Sequence, residues 1–405
     1  MLTSPVTNDV VEVHSNRERR FAPWPFFDAD EIEAASAVLR SGRINYKTGE
    51  EGQLFEKEFA AFAGCRHGVA VANGTVALEL ALYALGIGAG DEVVVPSRTF
   101  IATASSVVMR GAVPVIADVN RDSQNLTAAT IRPLLTSRTK AIIAVHLAGW
   151  PCDMDSIGEL ARRHGLKVIE DCAQAHGASY KGQPVGSFGD AAAFSFCQDK
   201  IMTSGGEGGM LTTNDDSVWE PAKAFRDHGT NCHAVSKDQN SRNFRWVHDT
   251  FGTNWRLTEM QSAIGRAQLR KLPQWVAIRR RNSAVLSRRF SDCPALRVTS
   301  PPSEIGHSYY KYCVFLRPER VKSGHGRDQI IAEINEKGVP CFPGICPEIY
   351  LENAFPPEWR PQQRLKVAQE LGETSVMFLV HPTLSEDDLL ATCDVVDEVM
   401  HSVTR

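Results

Sequence analysis

No stretch of the chain stays apolar for the roughly 18–20 residues that a helix needs to cross a bilayer, and membrane insertion is not expected. The first residues, Met1-Leu-Thr-Ser-Pro5, lack the basic segment and apolar core of a secretory signal, and Asp9 and Glu12 follow soon after. There is no Cys-x-x-Cys pair. The ten cysteines are scattered, with Cys341 and Cys346 the closest two. Zinc and disulfide frameworks group their cysteines more tightly, so the expectation is reduced thiols in a cytoplasmic protein and no metal site. Charge of one sign is also missing: 44 Lys and Arg face 48 Asp and Glu, for a net charge of −4. That balance gives no basic surface for nucleic acid or anionic lipid. Internal repeats and low-complexity segments are absent as well.

What remains is an ordinary globular composition, 43% hydrophobic and 23% charged over 405 residues, enough for a large buried core and two or three domains. Residues 1–20 are polar and mixed in charge and read as a loose tail. Ile32, Ala35, Val38 and Leu39 have helical spacing, and Leu54 to Phe62 forms a second helical stretch. Seven short β-branched or small apolar runs follow: Gly68–Val71, Glu92–Val95, Val113–Ile116, Ala141–Val145, Lys167–Ile169, Ala191–Phe196 and Met210–Thr212. Helical stretches such as Thr75–Leu85, Ala102–Arg110, Thr127–Leu135 and Met154–His164 separate most of them. This alternation predicts an α/β fold with a mostly parallel sheet of about seven strands, covered on both faces. Ligands of such sheets sit at the carboxyl ends of the strands. A long helix is predicted from Thr258 through Leu272, continuing past Pro273 toward Phe290. Tyr309–Leu316 reads as a strand, and Arg327–Lys337 and Leu365–Leu371 read as helices. The expected organisation is a large unit over 21–270 and a smaller C-terminal α+β unit over 271–405.

Four segments at predicted strand ends carry unusual residues. Asn73-Gly74-Thr75 opens a helix directly after the first strand; free amides and a glycine there suit an anion, although Thr75 could equally cap the helix. Asp171 ends an apolar strand, where a carboxylate can hold a cationic ring nitrogen or act as a plain cap. Lys200 follows Phe194-Ser195-Phe196 and precedes the cluster Gly205-Gly206-Glu207-Gly208-Gly209. It is either a solvated charge or a Schiff-base nucleophile. No Gly-x-x-x-x-Gly-Lys-Ser/Thr precedes it and no Gly-x-Gly-x-x-Gly follows the first strand, which counts against P-loop and nicotinamide chemistry. Phe100, after Pro96-Ser97-Arg98-Thr99, could stack on a planar ring or be a buried loop aromatic. Taken together, the four describe a ligand with a phosphate, a flat ring bearing a basic nitrogen, and a carbonyl awaiting an amine. Pyridoxal phosphate has all three.

The order of motifs resembles the DegT/StrS-type sugar aminotransferases, a branch of the fold-type-I pyridoxal-phosphate enzymes, from about Pro23 to Val399. The resemblance rests on Leu39-Arg-Ser-Gly42, Phe55-Glu-Lys-Glu-Phe59, Val71 to Leu78, Pro96 to Ala102, His146-Leu-Ala-Gly149 and Asp153-Met-Asp155. It continues through Ile169 to Ala178, Val185-Gly-Ser-Phe-Gly-Asp190, the Ser195 to Lys200 spacing, Gly252 to Leu257, Gln261 to Gly265, and Gln268-Leu269. It implies that Lys200 binds the cofactor covalently, that Asp171 pairs with the ring nitrogen, and that Gln174 lies beside the ring hydroxyl. It further implies that Phe100 stacks on the ring and that Gly74, Thr75 and Ser195 hold the phosphate. Asn254 would reach the phosphate of a neighbouring subunit, which makes the expected assembly a homodimer with shared active sites.

The implied reaction is transfer of an amino group from an amino-acid donor, L-glutamate, to a keto sugar, nucleotide-linked, in amino-sugar or O-antigen biosynthesis. Relatives that dehydrate carry histidine where this chain has Lys200, so a dehydratase or lyase is the lesser alternative. A keto-cyclitol aminotransferase and a cofactor-binding regulator are the others. The stretches Cys197 to Met202 and Val339 to Tyr350 depart from the family's Tyr-Pro-x-Lys-Asn-Leu and Tyr-x-Pro-x-His-like patterns, where the acceptor would be gripped. His176, His228, Arg256 and the stretch His307-Ser-Tyr309-Tyr-Lys311 are candidate substrate contacts.

Overall fold

The computed structural model describes residues 21–230, 248–345 and 348–405. The tail read over 1–20, Cys346 and Pro347 therefore lie outside the described residues. The eight described cysteines are all free of disulfides.

Helices α1 (Ala29–Ser41) and α2 (Glu51–Phe62) precede an alternating run: β1 (His67–Val71), α3 (Gly74–Ala84), β2 (Glu92–Pro96), α4 (Ala102–Met109), β3 (Val113–Ala117), α5 (Ala128–Ile131), β4 (Thr139–Val145), α6 (Met154–His164) and β5 (Lys167–Asp171). A short hairpin, β6 (Ser179–Tyr180) and β7 (Gln183–Pro184), leads to β8 (Ala191–Ser195), β9 (Gly209–Thr213) and α7 (Asp216–Arg226). The predicted runs are the seven strands of one sheet, ordered β1-β9-β8-β5-β4-β2-β3. β2, β3, β4, β5 and β8 pair in parallel, and β9 is antiparallel to both β8 and β1.

Alternation along each strand loads both faces. Val93, Val95 and Ile143 join the core under α3 and α4, while Val94, Ile142 and Ala144 join the core under α6. That is why these strands read as unbroken apolar runs rather than alternating ones. A third core gathers Phe55 and Phe59 of α2, Phe194, Phe196, and Leu272 and Trp275 of the long helix α8 (Glu259–Phe290). Helix α8 opens with a capping box, Thr258 to Gln261, and runs unbroken past Pro273 and past position 270, the boundary expected between the two units. Its first half packs on α1 and α2, and its second half reaches α11 (Glu386–Val403).

Beyond α8, a four-stranded antiparallel sheet has the order β10-β12-β14-β13. It is built from β10 (Leu296–Val298), β12 (Tyr312–Leu316), β13 (Cys341–Phe342) and β14 (Ser375–Phe378) and backed by α9 (Arg327–Glu336) and α11. Strand β11 (Ile305–Gly306) instead joins the small β6-β7 hairpin, and α10 (Lys366–Thr374) runs directly into β14. The strand predicted from Tyr309 begins only at Tyr312. Tyr309 lies at φ 49°, and Ser308 and Tyr310 donate their backbone N–H groups to Gly149 and Ala148.

In this small core the Phe290 ring is fully buried against Tyr312 (5.2 Å to Phe378, 6.1 Å to Tyr312). Phe290→Ala is expected to destabilise by about 3–5 kcal/mol, read as a lower urea midpoint. A change under about 1 kcal/mol would mean the site refills and the packing described here is not what holds the C-terminal unit.

Candidate active site

The parallel strands β2, β4, β5 and β8 all end at one edge of the large sheet, so Pro96, Val145, Asp171 and Ser195 point their successors to the same side. Antiparallel β9 starts at that edge, with Gly209 paired to both Ser195 and Val71. Two glycines permit this convergence by lacking a side chain. A Cβ on Gly74 would stand 2.6 Å from the Ser195 Cβ, and one on Gly209 would stand 2.3 Å from the Asn73 carbonyl oxygen. The start of α3 is thereby pressed against Ser195. Asn73 caps α3 through the Val76 N–H (3.0 Å), so Thr75 is not the cap and its side chain is left for the cleft.

The resulting cleft has a volume of about 650 Å³. Its wall contains Gly74, Thr75, Phe100, Asp171, Gln174, Ser195 and Lys200, seven of the eight residues named for the cofactor. Phe100 is 59% exposed, a large ring left open on the cleft wall. The Gln174 side-chain oxygen accepts the Ala148 N–H (2.8 Å), which leaves its amide NH₂ for a ligand. The Lys200 carbonyl accepts the Trp24 indole N–H (2.8 Å), and the Lys200 Nζ lies 5.0 Å from the centre of the Tyr310 ring. Asn254 lies outside this cleft: it is exposed, and its backbone bridges to Asp227.

Two adjacent carboxylates on β5 have opposite fates. Glu170 is fully buried, yet its oxygens meet the His146 ring (3.0 Å) and the N–H groups of Gly186, Phe188 and Gly189. Burial pushes its pKa up, but these partners outweigh it and the carboxyl ends below the ordinary range. Asp171 receives only the Thr103 hydroxyl (2.9 Å) and the Ala173 N–H (3.1 Å). Burial dominates there, and the carboxyl is held above the usual range. A buried carboxylate with no cation bonded to it is expensive, and a pyridinium nitrogen on the cleft side would supply the missing charge. The amides at the start of α3, beside Ser195, suit a phosphate. The lysine, carboxylate and anion cradle therefore fit pyridoxal phosphate. His146, Glu170 and Cys172 could geometrically bracket an ion, but the Glu170 oxygens are occupied as above, and His146 Nδ1 accepts the Cys152 N–H (3.0 Å).

The sequence of the DegT/DnrJ/EryC1/StrS aminotransferase family matches residues 25–399. The chain belongs to this family. It is 40% identical over 353 residues to the GDP-perosamine synthase of Caulobacter vibrioides, covering 85% of this chain and 89% of the relative. It is 36% identical over 372 residues to the dTDP-3-amino-3,4,6-trideoxy-alpha-D-glucose transaminase of Streptomyces venezuelae, covering 91% and 92%. Among solved structures, the aminotransferase from Psychrobacter cryohalolentis superimposes with a TM-score of 0.93 at 50% identity, over 95% of this chain and 99% of that one. The protein is a pyridoxal-phosphate-dependent aminotransferase of the fold-type-I class.

Of the named substrate contacts, His176, His228, Arg256, His307 and Tyr309 do not line the aminotransferase's cleft, whereas Tyr310 and Lys311, from the same named stretch, do. His176 is fully buried among Phe59, Phe194 and Phe196. His228 is an exposed turn residue at φ 60°. Arg256 is paired with Asp227, which also holds Lys47 (2.9 Å). His307 is buried, stacked on Tyr309 (3.8 Å), and both border a small separate cavity beside Trp150. The cleft wall also carries Thr103, which touches its carboxylate, and Phe342, from the Val339 to Tyr350 stretch where the acceptor was expected to be gripped. Thr103 lies in the first turn of α4, with its hydroxyl 2.8 Å from that of Thr99 in the loop before the helix.

Burial lowers the pKa of His176 to about 3, with the Lys200 charge adding to it. His307 and His381 are likewise lowered to about 3, first by burial and then by nearby cations. These rings stay neutral when folded and charge near pH 6.5 when unfolded. Their stabilising contribution is therefore present above about pH 6.5 and is lost as the pH falls below it. Thermal melts of His176→Phe between pH 6.5 and 4.5 should show a shallower loss of stability than the parent. Parallel slopes would contradict a neutral core histidine.

Proposed function

We propose that this aminotransferase moves the amino group of L-glutamate to a nucleotide-linked keto sugar, as a cytoplasmic homodimer with shared active sites, in amino-sugar or O-antigen biosynthesis. The observation that carries the reading is Lys200 and the under-compensated Asp171 on the wall of one cleft. Relatives at 40% and 36% identity are named for a GDP-linked and a dTDP-linked amino sugar, which supports the acceptor class. No helix of the described chain is long and apolar enough to cross a membrane. A second copy is supported by Phe251, 99% exposed three residues before exposed Asn254, an apolar ring that a partner would cover. The division assigned here makes residues 21–270 the cofactor-binding unit. Residues 271–405 close the cleft with Tyr310, Lys311, Phe342 and Met377.

When bound, pyridoxal phosphate supplies an aldehyde that captures amino groups and a ring that accepts the electrons of a broken C–H bond. In this reading Gly74, Thr75 and Ser195 anchor its phosphate at the start of α3, and Phe100 covers one face of its ring. Asp171 holds a proton on the ring nitrogen, because the ion pair relieves the cost of its own burial. Gln174 donates its amide to the ring hydroxyl. The Lys200 side chain tethers the group at rest. Once displaced by the donor, its Nζ takes the proton from the donor α-carbon and later delivers one to the acceptor carbon. Its backbone is fixed by Trp24, so the amine swings from a stationary base.

In the purified protein, L-glutamate should shift the visible cofactor absorbance, and Lys200→Ala should abolish that shift with loss of about 10³-fold or more in turnover. Subsequent addition of a nucleotide-linked keto sugar should restore the starting spectrum and yield the amino sugar. A product that has lost water and gained no nitrogen would overturn the reading.

A further inference from the structure

Every amino-acid donor carries an α-carboxylate, and L-glutamate has a second carboxylate on its side chain. Among the described residues lining the cleft, the cationic side chains are Lys200 and Lys311. Lys200 is committed to covalent chemistry in the proposed reaction, so one ammonium remains on that wall for an anion.

The surroundings of Lys311 keep that charge available. Its side chain is 16% exposed, and its closest carboxylate, Asp199 Oδ2, is 4.0 Å away, beyond hydrogen-bond distance. Asp199 is more than half exposed and already accepts the Tyr310 hydroxyl. The Tyr310 ring is near both amines, 4.8 Å from the Lys311 Nζ and 5.0 Å from the Lys200 Nζ. Behind them sits Arg279, 2% exposed, whose Nη1 reaches the Tyr310 carbonyl (3.1 Å) and whose Nε and Nη2 have no hydrogen-bond partner. Arg279 borders a second cavity of about 420 Å³ that shares Asp199, Tyr310, Lys311 and Leu379 with the cleft. Burial and the neighbouring Arg279 and Lys200 charges lower the Lys311 pKa against the pull of Asp199. Where the two cavities meet, two cations, Lys311 and Arg279, stand beside one carboxylate, Asp199, while Asp171 and Glu207 line the cleft elsewhere.

The backbone here is not free to retreat. Tyr310 N–H is bonded to the Ala148 carbonyl (2.8 Å), and Tyr312 pairs with Phe378 as the first residue of β12.

We propose that Lys311 is the carboxylate-recognising residue of the donor subsite, with the buried Arg279 behind it supplying the positive potential that holds a substrate anion at the junction of the two cavities. The inference rests on an amino-acid donor being the first substrate. A charge-assisted contact of this kind is worth about 10- to 100-fold in affinity.

Glutarate, a dicarboxylate without an amino group, probes the subsite apart from any reaction. Calorimetry on the cofactor-loaded protein should show glutarate binding that weakens about 10- to 100-fold in Lys311→Met and largely returns in Lys311→Arg. The L-glutamate concentration that half-shifts the visible spectrum should rise by a similar factor in Lys311→Met, with the acceptor KM unchanged and the resting spectrum intact. If both readouts match the parent while that spectrum is intact, the proposal falls and the transaminase reading survives. An increase confined to the acceptor KM would assign Lys311 to an acceptor phosphate and overturn it, as would a parent that binds no glutarate. Glutarate binding that depends on Lys311 in a protein whose spectrum L-glutamate never shifts would support the subsite and defeat the amino-donor reading.

Discussion

The structure turns on one electrostatic imbalance at the carboxyl edge of its large sheet. Glu170 and Asp171 are consecutive residues of β5, both removed from solvent. Glu170 spends its charge internally, tying the loop through Gly186, Phe188 and Gly189 to the strand and to His146. Asp171 does not; a hydroxyl and one amide are too little to offset its burial. Adjacent side chains of a strand face opposite sides, so the same two residues supply an internal strut on one side and an unmet charge on the other. A cofactor with a protonated ring nitrogen completes what the chain leaves unfinished.

The rest of the site follows from how closely other segments approach that edge. Parallel pairing brings β2, β4, β5 and β8 to it with their carboxyl ends level. Reversal of β9 lets Gly209 slip between β1 and β8. The glycines at 74 and 209 act through absent volume, allowing the α3 amides to stand against Ser195. Tyr310 and Lys311 then line the far side, on a stretch tied to the 148–149 loop by the Ser308 and Tyr310 N–H groups.

Much of this was legible in the residues themselves. The seven sheet strands are compact Val, Ile and Ala runs buried on two faces, and the cofactor candidates follow such runs directly, so local order was enough to find them. Where the structure diverges, non-local packing decided. His176 looks like a reactive histidine after a strand, yet the turn carries it into a box of Phe59, Phe194 and Phe196. His307 and Tyr309 are spent on each other. Strands β10, β13 and β14 are two to four residues long and had no periodicity to show. Lys311 lies in the stretch named as a substrate contact, but its surroundings, Tyr310, Asp199 and Arg279, come from three separate parts of the chain and have no local signature.

The most direct test is the thermal stability of Asp171→Asn with and without pyridoxal phosphate at neutral pH. A folded pKa above the unfolded one means that the carboxylate of Asp171 costs stability once the pH has risen through the folded value. Without cofactor, the variant should melt no lower than the parent, since asparagine keeps an oxygen to accept the Ala173 N–H, can donate its amide to the Thr103 hydroxyl oxygen, and removes the buried charge. With cofactor, the parent should gain stability and the variant should gain far less. A variant that melts well below the parent without cofactor, yet gains as much when cofactor is added, would contradict the role given to Asp171.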